Sequence, residues 1–111
     1  MPDKSKNIER SLDNLDNQIV DIVGEFVKRR REHYVEAAQK LHENLKKDTK
    51  RYAQMLADEK IKQEDFEFLV KGRWAQLKIE LLSEASISQR KFEGIAGQVL
   101  NLTLDTVIAA I

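Results

Sequence analysis

The chain has 111 residues, of which 41% are hydrophobic and 34% are charged, and its 19 basic residues balance its 19 acidic residues. This is far from the composition of a disordered chain, and a formal net charge of zero favours neither anionic nor cationic partners. The absence of cysteine excludes disulfides, thiol nucleophiles and thiolate metal sites. Ala, Glu, Leu, Lys and Arg make up nearly half of the chain, and the single proline is at position 2, which indicates one domain of long helices over 1–111.

A series of mostly apolar residues runs through the first half of the chain with the spacing of one helix face. Strands do not produce such spacing. Between Ser5 and Leu56 only Gly24 weakens a helix, by about 1 kcal/mol relative to Ala. We therefore predict one helix over about 5–57. The series consists of Ile8, Leu12, Leu15, Ile19, Val23, Val27, Arg30, Tyr34, Ala38, Leu41, Leu45, Asp48, Tyr52 and Leu56.

A turn is predicted near Asp58–Lys62, where charged residues are crowded and acidic residues follow that suit the start of a helix. A second helix is predicted over about 63–110. Ser86 and Gln89 have the spacing of a capping box, so a break of this helix near 85–88 is left open. Its apolar series is Phe66, Val70, Trp74, Leu77, Leu81, Ala85, Ser88, Phe92, Ile95, Val99, Leu102 and Thr106.

The last segment of the chain carries more apolar surface than one neighbouring helix can cover. We therefore predict an all-α fold, a long antiparallel helical hairpin that pairs with a second copy as a homodimeric, coiled-coil-like four-helix bundle. The alternative is a compact three-helix bundle, which folds the segment inward. The predicted dimer interface consists of Phe92, Ala96, Leu100, Leu104, Val107 and Ile111.

A basic stretch occupies residues 28–51 and begins with four consecutive cations, Lys28 to Arg31. Successive residues of a helix turn by about 100°, so these four would point in different directions. We interpret the stretch as a solvated helix face and do not expect nucleic-acid binding. An anionic partner is left open as the alternative, on a patch formed by Lys28, Arg29, Arg31, Lys46, Lys47, Lys50 and Arg51.

No residue pattern in the sequence indicates a catalytic, cofactor or metal site. His33 and His42 are nine residues apart and lie on opposite sides of the predicted helix, whereas zinc needs three or four converging ligands. None of the serines lies in a nucleophile-elbow sequence. We therefore predict a protein that is not an enzyme and binds no cofactor or metal.

The expected function is a self-associating helical scaffold, adaptor or regulatory interaction module. The N-terminus lacks the apolar core of a signal peptide, and the longest uncharged run, 94–104, is shorter than the roughly 20 residues of a membrane span. A cytoplasmic protein is therefore expected. One alternative is a nucleic-acid-associated helical dimer that uses 28–51. A second is a membrane-surface binder that uses the C-terminal helix, although that helix lacks the Lys and Arg such helices favour on the polar face.

Overall fold

Five α-helices make up the described part of the chain. The computed structural model describes residues 4–84 and 87–110, and no strand occurs in them. The prediction of an all-α fold is confirmed. The helices are α1 (Lys4–Asp13), α2 (Asp16–Phe26), α3 (Arg31–Ala57), α4 (Gln63–Glu84) and α5 (Gln89–Ala110).

The predicted continuous helix over 5–57 is wrong, because the chain reverses direction at residues 27–30. Val27 is extended, with φ −134° and ψ 141°, and Arg30 is left-handed, with φ 55°. A shorter break separates α1 from α2. The reversal allows the apolar sides of α1 and α2 to pack on α3 of the same chain, so their burial needs no second molecule. The five helices also exceed the three of the alternative fold.

The turn predicted near Asp58–Lys62 is confirmed, since it lies between the end of α3 and the start of α4. The first amides of a helix have no partner within the helix. At the start of α4 the Lys62 backbone N–H donates to Oδ2 of Asp65 at 3.0 Å. An acidic residue in the first turn therefore caps this helix, as the sequence indicated.

The second predicted helix is divided, and the division is the one left open near 85–88. Helix α4 ends at Glu84 and α5 begins at Gln89. Residues 85–86, including the proposed capping Ser86, lie outside the described residues. The Ser88 backbone N–H donates to Oη of Tyr34 at 3.0 Å, which ties the start of α5 to the first turns of α3.

The helices share one elongated core, with overall extents of 46 × 23 × 17 Å. Helices α1 and α2 follow one another along one side and contact α3 and α5, and α4 contacts α3 and α5 from the other side. The α2–α3, α3–α4 and α4–α5 connections are short and each reverses the chain, so α2, α3, α4 and α5 are antiparallel to the helix that precedes or follows them. As a result, the end of α2, the start of α3, the end of α4 and the start of α5 meet at one end of the molecule.

Most of the predicted apolar series lies in this core. In the first series Arg30 is exposed in the turn, and Asp48, Tyr52 and Leu56 are partly buried. The positions of the core residues were therefore predictable even though the path of the chain was not. The buried members of the first series are Ile8, Leu12, Leu15, Ile19, Val23, Val27, Tyr34, Ala38, Leu41 and Leu45.

Two hydrogen bonds, one buried and one partly buried, fix the register of helices whose bonded residues are distant in sequence. His42 is fully buried, and its Nε2 lies 2.9 Å from the carbonyl oxygen of Leu12. Because a carbonyl only accepts, Nε2 carries the proton and donates. On the other side, Trp74 Nε1–H donates to the carbonyl oxygen of Ala96 at 2.9 Å. These bonds hold α1 to α3 and α4 to α5.

Gly94 in α5 permits a close contact with the end of α2. A Cβ atom at this position would lie 2.6 Å from Cε1 and 3.0 Å from Cδ1 of Phe26. One edge of the Phe26 ring therefore occupies the space that any other residue at 94 would fill. Gly97, one turn later, is different, because a Cβ there would meet nothing within 4 Å.

We expect Gly94→Ala to be less stable than Gly97→Ala by roughly 1–3 kcal/mol, the usual cost of inserting a methyl group into occupied space. Both variants gain the same helix propensity, about 1 kcal/mol, so their difference isolates the contact with Phe26. Urea denaturation followed by circular dichroism measures both. Equal stability of the two variants would show that the Phe26 ring moves without cost.

Candidate interaction surfaces

The residues predicted as a dimer interface lie inside the single chain. Phe92, Ala96 and Val107 are fully buried, and Leu100 and Leu104 are 8% and 6% exposed. Ile111 lies outside the described residues. The surplus apolar flank of α5 is thus covered by α1, α2, α3 and α4 of the same molecule. Self-association remains a prediction, and a free surface for it must be sought elsewhere.

The predicted basic patch is divided into two parts. Arg31 and Lys46 are separated by about 23 Å along α3, at 1.5 Å per residue. The distal part is largely neutralised, since Lys46 and Lys50 contact Oδ1 of Asp13 at 2.9 and 3.3 Å. Arg51 contacts Asp48 at 3.3 Å, and Lys47 is exposed. Lys46 and Lys50 therefore link α3 to α1, and Arg51 pairs within α3, rather than forming a free anion site.

The ion pairs shift the pKa values of Asp13 and Lys46 in opposite directions. The hydrogen bond from Lys46 lowers the pKa of the Asp13 carboxyl, and Lys50 adds to the effect. Burial disfavours the charged form of Lys46, but its hydrogen bonds to Asp13 and Glu43 outweigh burial and raise its pKa. Both shifts favour the charged pair at neutral pH.

The proximal cations are gathered at one end of the molecule, which we call the basic end and define as Lys28, Arg29, Arg30, Arg31, Arg90 and Lys91. Lys28, Arg29 and Arg30 lie in the α2–α3 turn and Arg31 begins α3, so the four do not follow one another along a helix and the scattering expected of helical positions does not apply. All are exposed. None of them forms an ion pair with a carboxylate of the described residues. Sequence analysis missed Arg90 and Lys91, which the antiparallel arrangement of α2 and α5 brings to this end.

A groove of about 380 Å³ opens at the basic end. Lys28, Arg29 and Lys91 line it together with Phe26, whose side chain is 39% exposed. Glu25 adds one carboxylate to its wall. The groove therefore combines an accessible aromatic ring with an excess of cations. This combination cannot be recognised from the sequence until the start of α5 is known to lie beside the α2–α3 turn.

A second candidate surface is the side of α4 that faces away from the core. We call Phe68, Gly72, Ala75 and Ile79 the α4 outer seam. Their spacing of four, three and four residues places them on one helix face. Phe68 is 76% exposed and Ile79 is 65% exposed, more than any other large apolar residue described. The apolar series predicted from the sequence covers only the inward face of α4 and does not include this seam.

Gly72, in the middle of this seam, has no packing role within the chain. A Cβ atom there would meet nothing within 4 Å. Glycine inside a helix costs roughly 0.5–1 kcal/mol relative to Ala. A glycine at an exposed mid-helix position is thus a cost to the folded chain that no described contact compensates.

A second groove, of about 370 Å³, lies between α2 and α5. Its lining is mainly polar: Gln18, Asp21, Ile22, Glu25, Gln98, Asn101, Leu102 and Asp105. Among the described residues no group of three or more His, Cys, Asp or Glu is placed to hold a metal ion. In the same part of the chain no helix has the length and apolar character that crossing a membrane requires.

Comparison of the chain with protein-family models, with curated proteins and with solved structures finds no match. The basic end and the α4 outer seam are therefore the features from which a function can be inferred.

We expect the ion pairs of Asp13 to contribute to stability above pH 3.8, the ordinary pKa of this carboxyl, and to be lost as the pH falls through its lowered value. The Asp13 side chain is half exposed, so solvent screening limits the contribution to about 1 kcal/mol or less. Asp13→Asn should therefore lower the unfolding free energy slightly at pH 7 and have a smaller effect near pH 3. Urea denaturation at the two pH values measures this, and an effect that grows towards acid would contradict the assignment.

Proposed function

We propose that the protein is a non-enzymatic helical interaction module that self-associates through the α4 outer seam. The exposure of Phe68 and Ile79 is the observation that carries the proposal. Helix α4 buries Phe66, Val70 and other apolar residues on its inner side and exposes the seam on its outer side. A helix that is apolar on both sides is normally covered on both sides.

A second copy of the chain fits the seam because its spacing is palindromic. Read in either direction, Phe68, Gly72, Ala75 and Ile79 follow one another at intervals of four, three and four residues. A two-fold dimer needs such self-complementarity, because the same patch serves both molecules. When two α4 helices cross antiparallel between positions 72 and 75, Phe68 of each lies beside Ile79 of the other.

The small residues at the centre of the seam favour the same arrangement. Gly72 of one copy then faces Ala75 of the other, which allows the two helix backbones to approach closely. This contact accounts for a glycine that has no packing role within the chain. The large side chains at the two ends of the seam fill the wider space away from the crossing point.

The charges beside the seam also favour an antiparallel pairing. Along the flank of α4 that precedes the seam, Glu64 and Glu67 are acidic and Lys71 and Lys78 are basic. An antiparallel pair that crosses between positions 72 and 75 brings Glu67 of each helix towards Lys78 of the other. Such complementarity selects orientation and register more than it adds affinity.

The extent of the seam limits the strength of the dimer. Stable interfaces bury about 800 Å² per partner, and one face of the 22-residue α4 is about 33 Å long and 10 Å wide. We therefore propose a weak dimer that forms and dissociates with concentration. That property suits a regulatory or adaptor module, which exchanges its own second copy for another helical partner.

Sedimentation velocity over about 5–500 μM tests the proposal, since a weak interface gives a micromolar Kd. We expect the wild-type chain to shift from monomer to dimer over this range. Phe68→Glu and Ile79→Glu should each keep the chain monomeric with little change in unfolding free energy, because both side chains are largely exposed in the monomer. A wild-type chain that stays monomeric throughout would exclude self-association.

Gly72→Ala separates folding from association. Because open space surrounds the position, the added methyl group should stabilise the monomer by up to about 1 kcal/mol and still weaken the dimer. Val20→Glu is the matched control, since Val20 is 41% exposed on α2 and should leave the dimer intact. If the dimer survives Phe68→Glu but not Val20→Glu, the interface lies on α2 instead.

A further inference from the structure

We propose that the basic end is a binding site for single-stranded nucleic acid. Sequence analysis set nucleic acid aside because helical rotation would scatter Lys28 to Arg31. The structure removes that reason, since these residues lie at a turn, and Arg90 and Lys91 join them from α5. The site is independent of the α4 outer seam.

Phosphate recognition is supplied by the cations and by two helix starts. Helices α3 and α5 both begin at this end, and their first backbone N–H groups and positive dipole ends favour anions. The cations have no carboxylate partner among the described residues. They are therefore free to contact phosphates, in contrast to Lys46 and Lys50, which are held by Asp13.

Base recognition is supplied by Phe26 in the groove. Its ring is partly exposed, and Lys28, Arg29 and Lys91 line the same groove. An aromatic ring among cations is the arrangement on which unpaired bases stack while their phosphates are neutralised. Because Gly94 accommodates one edge of the ring, the platform is already in place before a base arrives.

The groove favours an unpaired strand over a duplex or a membrane. The bases of a duplex are stacked inside and cannot reach an aromatic platform. A membrane-surface site needs a broad apolar face beside its cations, whereas Phe26 is the one large apolar residue exposed at the basic end of the described chain. Its ring also lies against α5 in a concave groove and does not project.

The left-handed backbone of Arg30 shapes the turn that presents these cations. A residue other than glycine with φ near 55° is uncommon, and such strain persists where the surrounding structure holds it. Here it allows Val27 to remain buried and α3 to start immediately after the turn. The cations on both sides of the turn are thereby kept at one end of the molecule.

Fluorescence anisotropy with a labelled single-stranded oligo(dT) of about 15 nucleotides, within the usual range for such sites, tests the proposal. We expect micromolar binding near 50 mM salt. For about four phosphate contacts, the affinity should fall with salt with a logarithmic slope of about −3. The same sequence as a duplex should bind more weakly, and absence of binding at low salt would overturn the proposal.

Two sets of variants separate phosphate contact from stacking. The triple variant Lys28→Gln, Arg29→Gln, Lys91→Gln should flatten the salt slope by about 2. Its control replaces Lys6, Lys60 and Lys62, exposed cations of the opposite end, by Gln and changes net charge equally. An equal loss of binding in the control would overturn the proposal, because it would show that total charge and not the basic end is responsible.

Phe26→Leu should weaken binding about tenfold, and Phe26→Tyr should retain it, since stacking on one base is worth about that factor. Urea denaturation of each variant confirms that the fold is intact, and Tyr at this position keeps the ring if Leu does not fold. Unchanged binding of oligo(dT) by Phe26→Leu would overturn the stacking site. Binding to phosphatidylserine vesicles without binding to oligo(dT) would assign the basic end to a membrane surface instead.

Discussion

The reversal of the chain between α2 and α3 is the constraint on which the rest of the structure depends. Residues 8–56 carry one long apolar stripe, and on a straight helix that stripe could be buried only by the second half of the chain or by another molecule. Folding back at 27–30 places the stripe of α1 and α2 against that of α3. Helix α5 then has neighbours on several sides, and both of its apolar flanks enter the core. Dense burial in a small chain therefore follows from one turn.

The buried positions of the core can be predicted from the sequence better than the turns can. Apolar spacing identifies Leu12, Leu41, Val99 and Val107 as buried, because burial depends on side-chain type at each position. The reversal at 27–30 has no such signal. It contains neither glycine nor proline, and the periodic series continues through it from Val27 to Tyr34. The turn forms because it allows the apolar residues on its two sides to pack within one chain. The free energy of that packing depends on the whole fold and not on the local sequence.

The two candidate interaction surfaces were not predicted from the sequence, for related reasons. At the basic end, Lys28 and Lys91 line the same groove although they are more than 60 positions apart in sequence, which local spacing does not reveal. The α4 outer seam could in principle be predicted from the sequence, since Phe68, Gly72, Ala75 and Ile79 have helical spacing. Its exposure could not be inferred without knowing which face of α4 packs against other helices, because either apolar face could belong to the core until the neighbouring helices are known.

The break between α1 and α2 allows α1 to open separately from the rest of the chain. Helix α1 has ten residues, fewer than an isolated helix needs to persist in water. It is held by the apolar contacts of Ile8 and Leu12, by the His42 hydrogen bond and by the ion pairs of Asp13. Release of α1 as a unit would break these contacts and leave α2 to α5 packed on one another. Such a subglobal opening costs less than unfolding, so amide hydrogens of α1 should exchange before those of α3, and the part of α5 that α1 covers becomes transiently accessible.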